Sequence, residues 1–514
     1  MLSEEMEARG FYETENGLGF NGNIYAQYVL NEYNIICTDR DTFYLYNNGV
    51  YEFIPVMEMK SVLQEILHEP CFGTWTLARE ESYIKSLERQ CYYNGELNRY
   101  SNYINLKNCM FNTQTYKRKQ HSPKFYSTIQ LPISYDKEAE CPQFKKFLSE
   151  IFLSDNELIT VVQEIIGYCM TTDMQAQTFF IFWGTGANGK SLLCNIIKKL
   201  VGERNYSAIP ISDLSKSFSR ADLKGKLLNI SAENEQTDNK PFNSQYIKSI
   251  SGGDEIKAEF KGKDVFTFNP VCKLIFAVNT LPVFNDKTVG FLRRLKVIPF
   301  KARFSLEDGT ADVFLEDKLT AELDGIFNWA LEGLKRLREN NYKFSESKAM
   351  TEILKEYQEI LNPYVLYWND NVVYNETDTS VRVGKTEMFD DFKTWCIRNN
   401  HSNLAKVSTR KFWYDISMLM EQLKLSPLQF KKTQGKRFVL GIELKNSSQG
   451  RLQKVFSPKV SDLENDIGDC WEDEEAEEIA LSPSTSKKEE KAQIQCATET
   501  GEHAPQSRRK SKWI

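Results

Sequence analysis

The first alternating stretch of the chain, DTFYLYNNGVYEFIP (41–55), places apolar and polar residues in turn about an Asn-Asn-Gly step, which predicts a β-hairpin. SVLQEILHE (61–69) then carries a helical pattern. Between 142 and 175 the period fits two helices. Leu148, Ile151 and Phe152 share one face, and Leu158, Val161, Val162, Ile165 and Ile166 share another. Asp155, between them, is placed to cap the second. From about 176 to 340, short unbroken apolar runs alternate with polar or helical stretches. Unbroken runs suit strands buried on both faces, so this region predicts an α/β domain with a mainly parallel sheet. After Pro363 the texture changes. KTEMFDDFKTWCIRNN and STRKFWYDISMLMEQLKL are amphipathic helices, and KKTQGKRFVLGIEL reads as two strands around a glycine turn. Beyond about 446 the chain is rich in Ser, Glu and Lys and predicts disorder.

Composition adds constraints. The 514 residues exceed one ordinary core, so two to four domains are expected. The formal net charge is −6, but ten carboxylates lie between Asp462 and Glu478, and the rest of the chain is net positive. An acidic partner is therefore compatible with the overall charge. Eleven scattered cysteines without a CxxC, and only four histidines, argue against a local zinc site or a disulfide scaffold. The charged N-terminus lacks an apolar signal core, and no apolar run is long enough to span a bilayer. A reducing, cytoplasmic setting and no membrane partner are expected.

Candidate chemistry centres on FFIFWGTGANGKSLLCNIIKKLVG (179–202). Gly184-Thr185-Gly186-Ala187-Asn188-Gly189-Lys190-Ser191 matches GxxxxGK[ST], between an apolar strand and a helical stripe. Such a loop turns backbone N–H groups toward phosphate at the positive end of a helix. Lys190 would reach the outer phosphates of ATP, and Ser191 would hold Mg²⁺. KLLNISAENE (226–235) ends in acids: Glu233 is the candidate metal-side carboxylate and Glu235 a neighbouring candidate base. CKLIFAVN (272–279) ends in Asn279, an amide able to position water. FLRRLKVIPF (291–300) puts Arg293 and Arg294 at a strand start. EIKAEFKGKDVFTF, between Gly253 and Phe268, predicts a hairpin tipped by Phe260, Lys261 and Lys263, where cations can track phosphates and an aromatic can stack on a base.

In their order and spacing these elements resemble the superfamily-three helicases, a branch of the ring-forming AAA+ ATPases, and within it the phage, plasmid and poxvirus-type primase–helicases. The segment SGGDEIKAEFKGKDVFTFNPVCKLIFAVNTLP (251–282) is similar to that family's pre-sensor region, and the likeness extends over about 15–445. The resemblance implies an AAA+ P-loop core at 176–345, preceded by an α-helical or α+β N-terminal region (1–140) and a helical lead-in (141–175). A linker and winged-helix module (346–445) and a disordered tail (446–514) follow. It implies an ATP-dependent replicative DNA helicase with ATP and Mg²⁺ as cofactors, acting on single-stranded and forked DNA as a homo-oligomer, expectedly a hexamer, with a separate primase or polymerase as a further partner. Asn279 would sense the γ-phosphate, Arg293 or Arg294 would act as an arginine finger on a neighbour's ATP, and the hairpin would line the ring's channel. Lys431, Lys432, Lys436 and Arg437 would form a wing on duplex phosphates. Here Glu233 and Glu235 are separated by Asn234, whereas the family's acids are often adjacent, so either can be the base. The resemblance does not extend to the family's primer-synthesising domain, so primer synthesis is not expected. Two alternatives stand beside the helicase: an initiator using ATP only as an assembly switch, and a primase–helicase that makes primers.

Overall fold

The apolar runs of the middle region assemble into one sheet of five parallel strands. Across the sheet the order is Tyr206–Ser207, Leu228–Ser231, Lys273–Val278, Phe179–Trp183 and Leu295–Pro299. The computed structural model describes residues 2–445, except 16, 40–41, 71, 233–240, 263, 287, 306–311, 379, 400 and 403. Strand Phe179–Trp183 is central, with register partners Phe180↔Ile275 on one side and Phe179↔Leu295 on the other. Its period-two alternation feeds two cores. Phe180 and Phe182 join the cluster built on the lead-in helices, while Phe179 and Ile181 join the cluster on the opposite face. Ile275 and Ala277 follow the first pair, and Leu274 and Phe276 the second. Both faces of the strand are covered, which is why its sequence is apolar at every position.

The lead-in helices form as expected. Pro142–Ile151 starts with a proline, whose missing N–H costs nothing there. Asn156–Cys169 is capped by Asp155, whose carboxylate accepts from the Glu157 and Leu158 amides at 3.0 and 3.1 Å. Helix Leu323–Glu339 packs along it. The buried Glu164 carboxylate ties the two together, accepting from Arg336 Nε at 2.7 Å and from the Ser345 amide and hydroxyl at 2.8 and 2.6 Å.

In the N-terminal region the expected hairpin pairs Thr42–Asn47 with Val50–Ile54, and Ile35–Asp39 adds a third strand. The helix expected over 61–69 instead runs Val56–His68. Pro55 presets its entry, and the buried stripe already begins at Met59. A second meander pairs Tyr103–Asn105, Met110–Asn112 and Lys117–Lys119.

The segment after Pro363 has its own core. Tyr364, Tyr367 and Trp368 of helix Pro363–Asn371 pack with helices Lys385–Arg398 and Thr409–Gln422. Strands Phe430–Thr433 and Lys436–Leu440 form the expected hairpin, extended by Arg382–Gly384 into a three-stranded sheet. The 446–514 segment lies outside the described residues.

Candidate functional site

Parallel strands bring their carboxyl ends to one edge, where the loops of such sheets form binding crevices. At this edge the chain leaves Trp183 and enters the 184–189 loop. The Gly184 amide donates to the Val278 carbonyl at 3.2 Å, and the Phe304 amide donates to the Ala187 carbonyl at 2.7 Å. Asn188 is buried, and its amide group reaches toward the Phe300 carbonyl at 3.4 Å. Neighbouring strand ends thus hold the loop on both sides, while Thr185, Gly186 and Ala187 stay exposed. Two glycines are sterically required. A Cβ on Gly184 would lie 2.6 Å from the Phe300 carbonyl oxygen. Gly189 has φ +80°, and a Cβ there would lie 2.4 Å from Ile151 of the lead-in.

Helix Lys190–Val201 begins immediately after the loop without a side-chain cap, so its positive end opens toward it. Lys190 is buried, and its ammonium donates to the Gly184 carbonyl (2.9 Å), the Val278 carbonyl (2.7 Å) and Asn279 Oδ1 (2.8 Å). The sequence-predicted residues Lys190, at the helix start, and Asn279, just past strand Lys273–Val278, are therefore in direct contact. Ser191 is exposed one residue further on. Strand Leu228–Ser231 runs parallel beside Lys273–Val278. The two acids that follow it in sequence, Glu233 and Glu235, lie outside the described residues.

The expectation for the arginines needs correcting. Arg293 and Arg294 precede the strand, in the turn between helix Val289–Leu292 and Leu295. Leu295 is the first residue paired with Phe179, and of the two arginines only the Arg294 carbonyl reaches the central strand, accepting from the Phe179 amide at 2.8 Å. The alternation rule of strands cannot choose between them. Arg293 is exposed, whereas Arg294 donates to Gln177 Oε1 at 3.1 Å. Burial, then the neighbouring Arg293 charge, pulls the Arg294 guanidinium below its usual range. Both arginines lie at the amino ends of the strands, about 16 Å from the loop by strand rise.

The hairpin pairs Ile256–Glu259 with Val265–Phe268 around a tip holding Phe260, Lys261 and Gly262; Lys263 lies outside the described residues. Lys261 is exposed. Phe260 stacks on Phe266 with ring centres 4.9 Å apart, so the hairpin itself covers one of its faces. Sequence reasoning missed two supporting residues. Arg220 is buried beneath the hairpin, donating to the Lys257 carbonyl at 2.8 Å and to the Leu214 and Ser215 carbonyls, with its guanidinium 3.8 Å from the Tyr246 ring centre. Lys224 lies 5.0 Å from the Phe266 ring centre, adding a cation beside the strand pair. Neither belongs to a sequence motif; only the fold brings them to the hairpin.

In the C-terminal hairpin, Lys431, Lys432, Lys436 and Arg437 are all exposed, and Lys432 pairs directly with Arg437. The connecting residues Gln434 and Gly435 both have positive φ, the twist that two-residue hairpin turns favour. Among the described residues no cluster of three His, Cys, Asp or Glu side chains could hold a metal, and no helix is long and apolar enough to cross a membrane.

The family described as D5 N terminal like matches residues 30–153, and a family of unknown function (DUF5906) matches residues 182–294. The chain is 24% identical over 264 residues to "Putative helicase L207/L206" of Acanthamoeba polyphaga mimivirus, covering 47% of this chain and 27% of that protein. It is 24% identical over 362 residues to "Putative helicase 184R" of Invertebrate iridescent virus 6, covering 62% of this chain and 37% of that protein. The chain thus spans well under half the length of these relatives. The solved apo C-terminal region of NrS-1 aligns over 84% of this chain and 100% of its own, at 14% identity and a TM-score of 0.49. The chain is thus similar to primase–helicase-like proteins of the viral type.

Proposed function

We propose that the chain is an ATP-dependent DNA helicase acting as a ring, with an AAA+ P-loop core and a C-terminal winged helix. The observation that carries this reading is the convergence of Lys190 and Asn279, 2.8 Å apart, on a glycine loop at the carboxyl edge of a parallel sheet. The loop fits a triphosphate: its exposed residues face an uncapped helix start, and the Lys190 ammonium is already surrounded by oxygen acceptors. Ser191 and Glu233 would hold Mg²⁺, which when bound neutralises phosphate charge. Glu233 or Glu235 takes the proton of the attacking water, and Asn279 orients that water. Arg293 or Arg294, a strand length away from its own loop, serves the nucleotide of an adjacent subunit. Lys261 and Lys263 hold the strand backbone, and the 431–437 wing holds duplex DNA.

A strand-displacement assay with ATP on forked DNA, run beside native mass determination, tests this. Unwinding that is lost in Lys190→Ala supports the reading. ATP turnover without any displacement would replace the helicase with an assembly switch. Glu233→Gln should bind ATP and fail to hydrolyse it; normal turnover there, with Glu235→Gln inactive, would exchange the two roles.

A further inference from the structure

One stretch of the N-terminal region has a composition that nothing above uses. From Leu97 to Tyr135 the chain carries six Lys or Arg and no Asp or Glu, in a protein whose acids outnumber its bases 71 to 65. The fold sets Arg99, Lys117 and Lys119 beside aromatic rings, with Lys124 next to Phe125 in the chain, while Arg118 takes the other face of its strand, over Tyr135. Strand Lys117–Lys119 is exposed at all three positions and forms the edge of its sheet. By register, Tyr103, Asn112 and Lys117 share one face, and Lys119 shares it two residues on. The Lys119 ammonium sits 5.2 Å from the Tyr103 ring centre. Phe125 lies 5.2 Å from Tyr103 and 5.8 Å from Tyr100, ring centre to ring centre. The Arg99 guanidinium is 4.7 Å from the Tyr100 ring centre and 6.0 Å from that of Tyr126. Tyr126 in turn stacks on Tyr93 at 4.1 Å.

The surface is held in shape. The Asn98 amide donates to the Tyr126 carbonyl at 3.0 Å, and the Thr128 amide donates to Asn98 Oδ1 at 2.8 Å. Asn98, Tyr116 and Tyr126 all adopt left-handed backbone, with φ of 56°, 56° and 47°. Bulky residues persist there only where the surroundings fix them, and such positions collect at binding sites. Lysines on an edge strand also discourage edge pairing. That role does not call for the rings packed beside them or for the guanidinium held between two tyrosines.

We propose that this face, carrying Arg99, Tyr100, Lys117, Lys119, Lys124 and Phe125, is a second binding surface for single-stranded nucleic acid, separate from the 256–268 hairpin. Unpaired bases offer flat faces to Tyr100 and Phe125, and the flanking cations meet the phosphates. A duplex hides those faces, and an acidic peptide matches the charge but leaves the rings unused. The inference does not rest on the ATPase reading, because it concerns equilibrium binding without nucleotide.

The test uses the full chain and a fluorescein-labelled 20-nucleotide oligo-dT, with anisotropy read across a salt series. Replacing Lys117, Lys119 and Lys124 together by Gln should lower the log–log salt slope by about 2, at ~0.7 per lost phosphate contact. Tyr100→Ala should weaken binding by roughly 5- to 150-fold with the slope kept. Tyr100→Phe should bind as wild type, because the ring alone stacks. Photocrosslinks from 4-thiothymidine should fall within 97–126 and persist in Lys261→Ala. Basal ATP turnover and the thermal melt should be unchanged in all of these patch variants. An unchanged slope in the triple variant, equal losses in Tyr100→Ala and Tyr100→Phe, or crosslinks confined to the 256–268 hairpin would overturn the proposal. So would poly-glutamate displacing the oligonucleotide equally from wild type and Tyr100→Ala. Failure of unwinding with these results intact would count against the helicase reading alone.

Discussion

Lys190 and Asn279 are in direct contact at 2.8 Å, and this makes their substitutions distinguishable. Asn279→Ala removes the amide proposed to orient water and one acceptor of the Lys190 ammonium. Turnover should fall by roughly 10²–10³ while ATP affinity changes less than about tenfold. Asn279→Asp places a carboxylate against the same ammonium, and a charge-assisted bond is stronger by about 1–2 kcal/mol. ATP should then bind about 5- to 30-fold more weakly than to wild type, measured by titration with a fluorescent ATP analogue. Equal affinity in the two variants would show that the lysine is not held by residue 279. Lys273 is a second case. It is fully buried at the start of its strand, donates to the Thr171 and Val271 carbonyls and lies 4.8 Å from the Tyr168 ring centre. Burial pulls its pKa down to about 8. The unfolded chain keeps this proton to about pH 10.4, so between the two values the unfolded state binds more protons. Stability contributed by this group therefore rises with pH through that window. The difference in unfolding free energy between wild type and Lys273→Met should change between pH 7.5 and 9.5, in the direction of a relatively more stable wild type at the higher pH. The spacing of GxxxxGK[ST] identified Lys190 from sequence. Lys273 was not legible, because its environment comes from the Thr171 turn, 102 residues away.

Elements explain where local pattern sufficed and where it did not. All three hairpins were readable, since alternation and a glycine in the turn set their register. The strand 179–183 was readable because burial on both faces leaves it wholly apolar. The arginine turn was misread as strand: the apolar run that follows it masks a boundary that pairing with Phe179 determines. Arg220 under the 256–268 hairpin could not be foreseen, because its acceptors are backbone carbonyls that carry no sequence signal. In the C-terminal hairpin, Lys432 opposite Arg437 is a like-charge pair, which costs stability in an antiparallel ladder. Lys432→Glu should stabilise the hairpin by about 0.2–1 kcal/mol while lowering the salt slope of duplex binding by at least ~0.9. Denaturant melts and anisotropy on duplex DNA give the two signs. A loss of stability together with unchanged binding would remove the wing from the DNA path.

For the whole molecule, the position of Arg293 and Arg294 has a direct consequence. They lie at the opposite end of the strands from the loop of their own chain, so on the proposed reading an arginine finger would serve a neighbouring chain. Arg→Ala at the functional position should retain ATP binding and lose turnover. Mixing that variant with Lys190→Ala should restore partial ATPase, since each subunit supplies what the other lacks. No recovery at any ratio, with mixed assembly confirmed by mass, would place the finger within its own chain. The packing also sets where the C-terminal module can be cut. Strand Val372–Tyr374 pairs with Ile442–Leu444, and Tyr364, Tyr367 and Trp368 belong to the same core. Helix Lys348–Leu361, by contrast, sends Ile353 and Tyr357 into the cluster under the central sheet. A separation at Asn362 divides the two cores, while one at 375 would strip three large aromatics of their cover.

The strand Lys273–Val278 also joins two places that have so far been treated apart. Its last carbonyl, on Val278, is held by Lys190, and its first residue follows the hairpin arm Val265–Phe268 by four residues. Six residues of strand span about 20 Å with little compliance. A ligand that drew the lysine away would remove one of two donors on that carbonyl, the other being the Gly184 amide, at one end of a stiff element whose other end lies close in sequence to the hairpin. Lys190→Ala alone, with no nucleotide and no DNA, should then speed amide exchange at Val265–Phe268, and unchanged exchange there would show that the strand carries nothing.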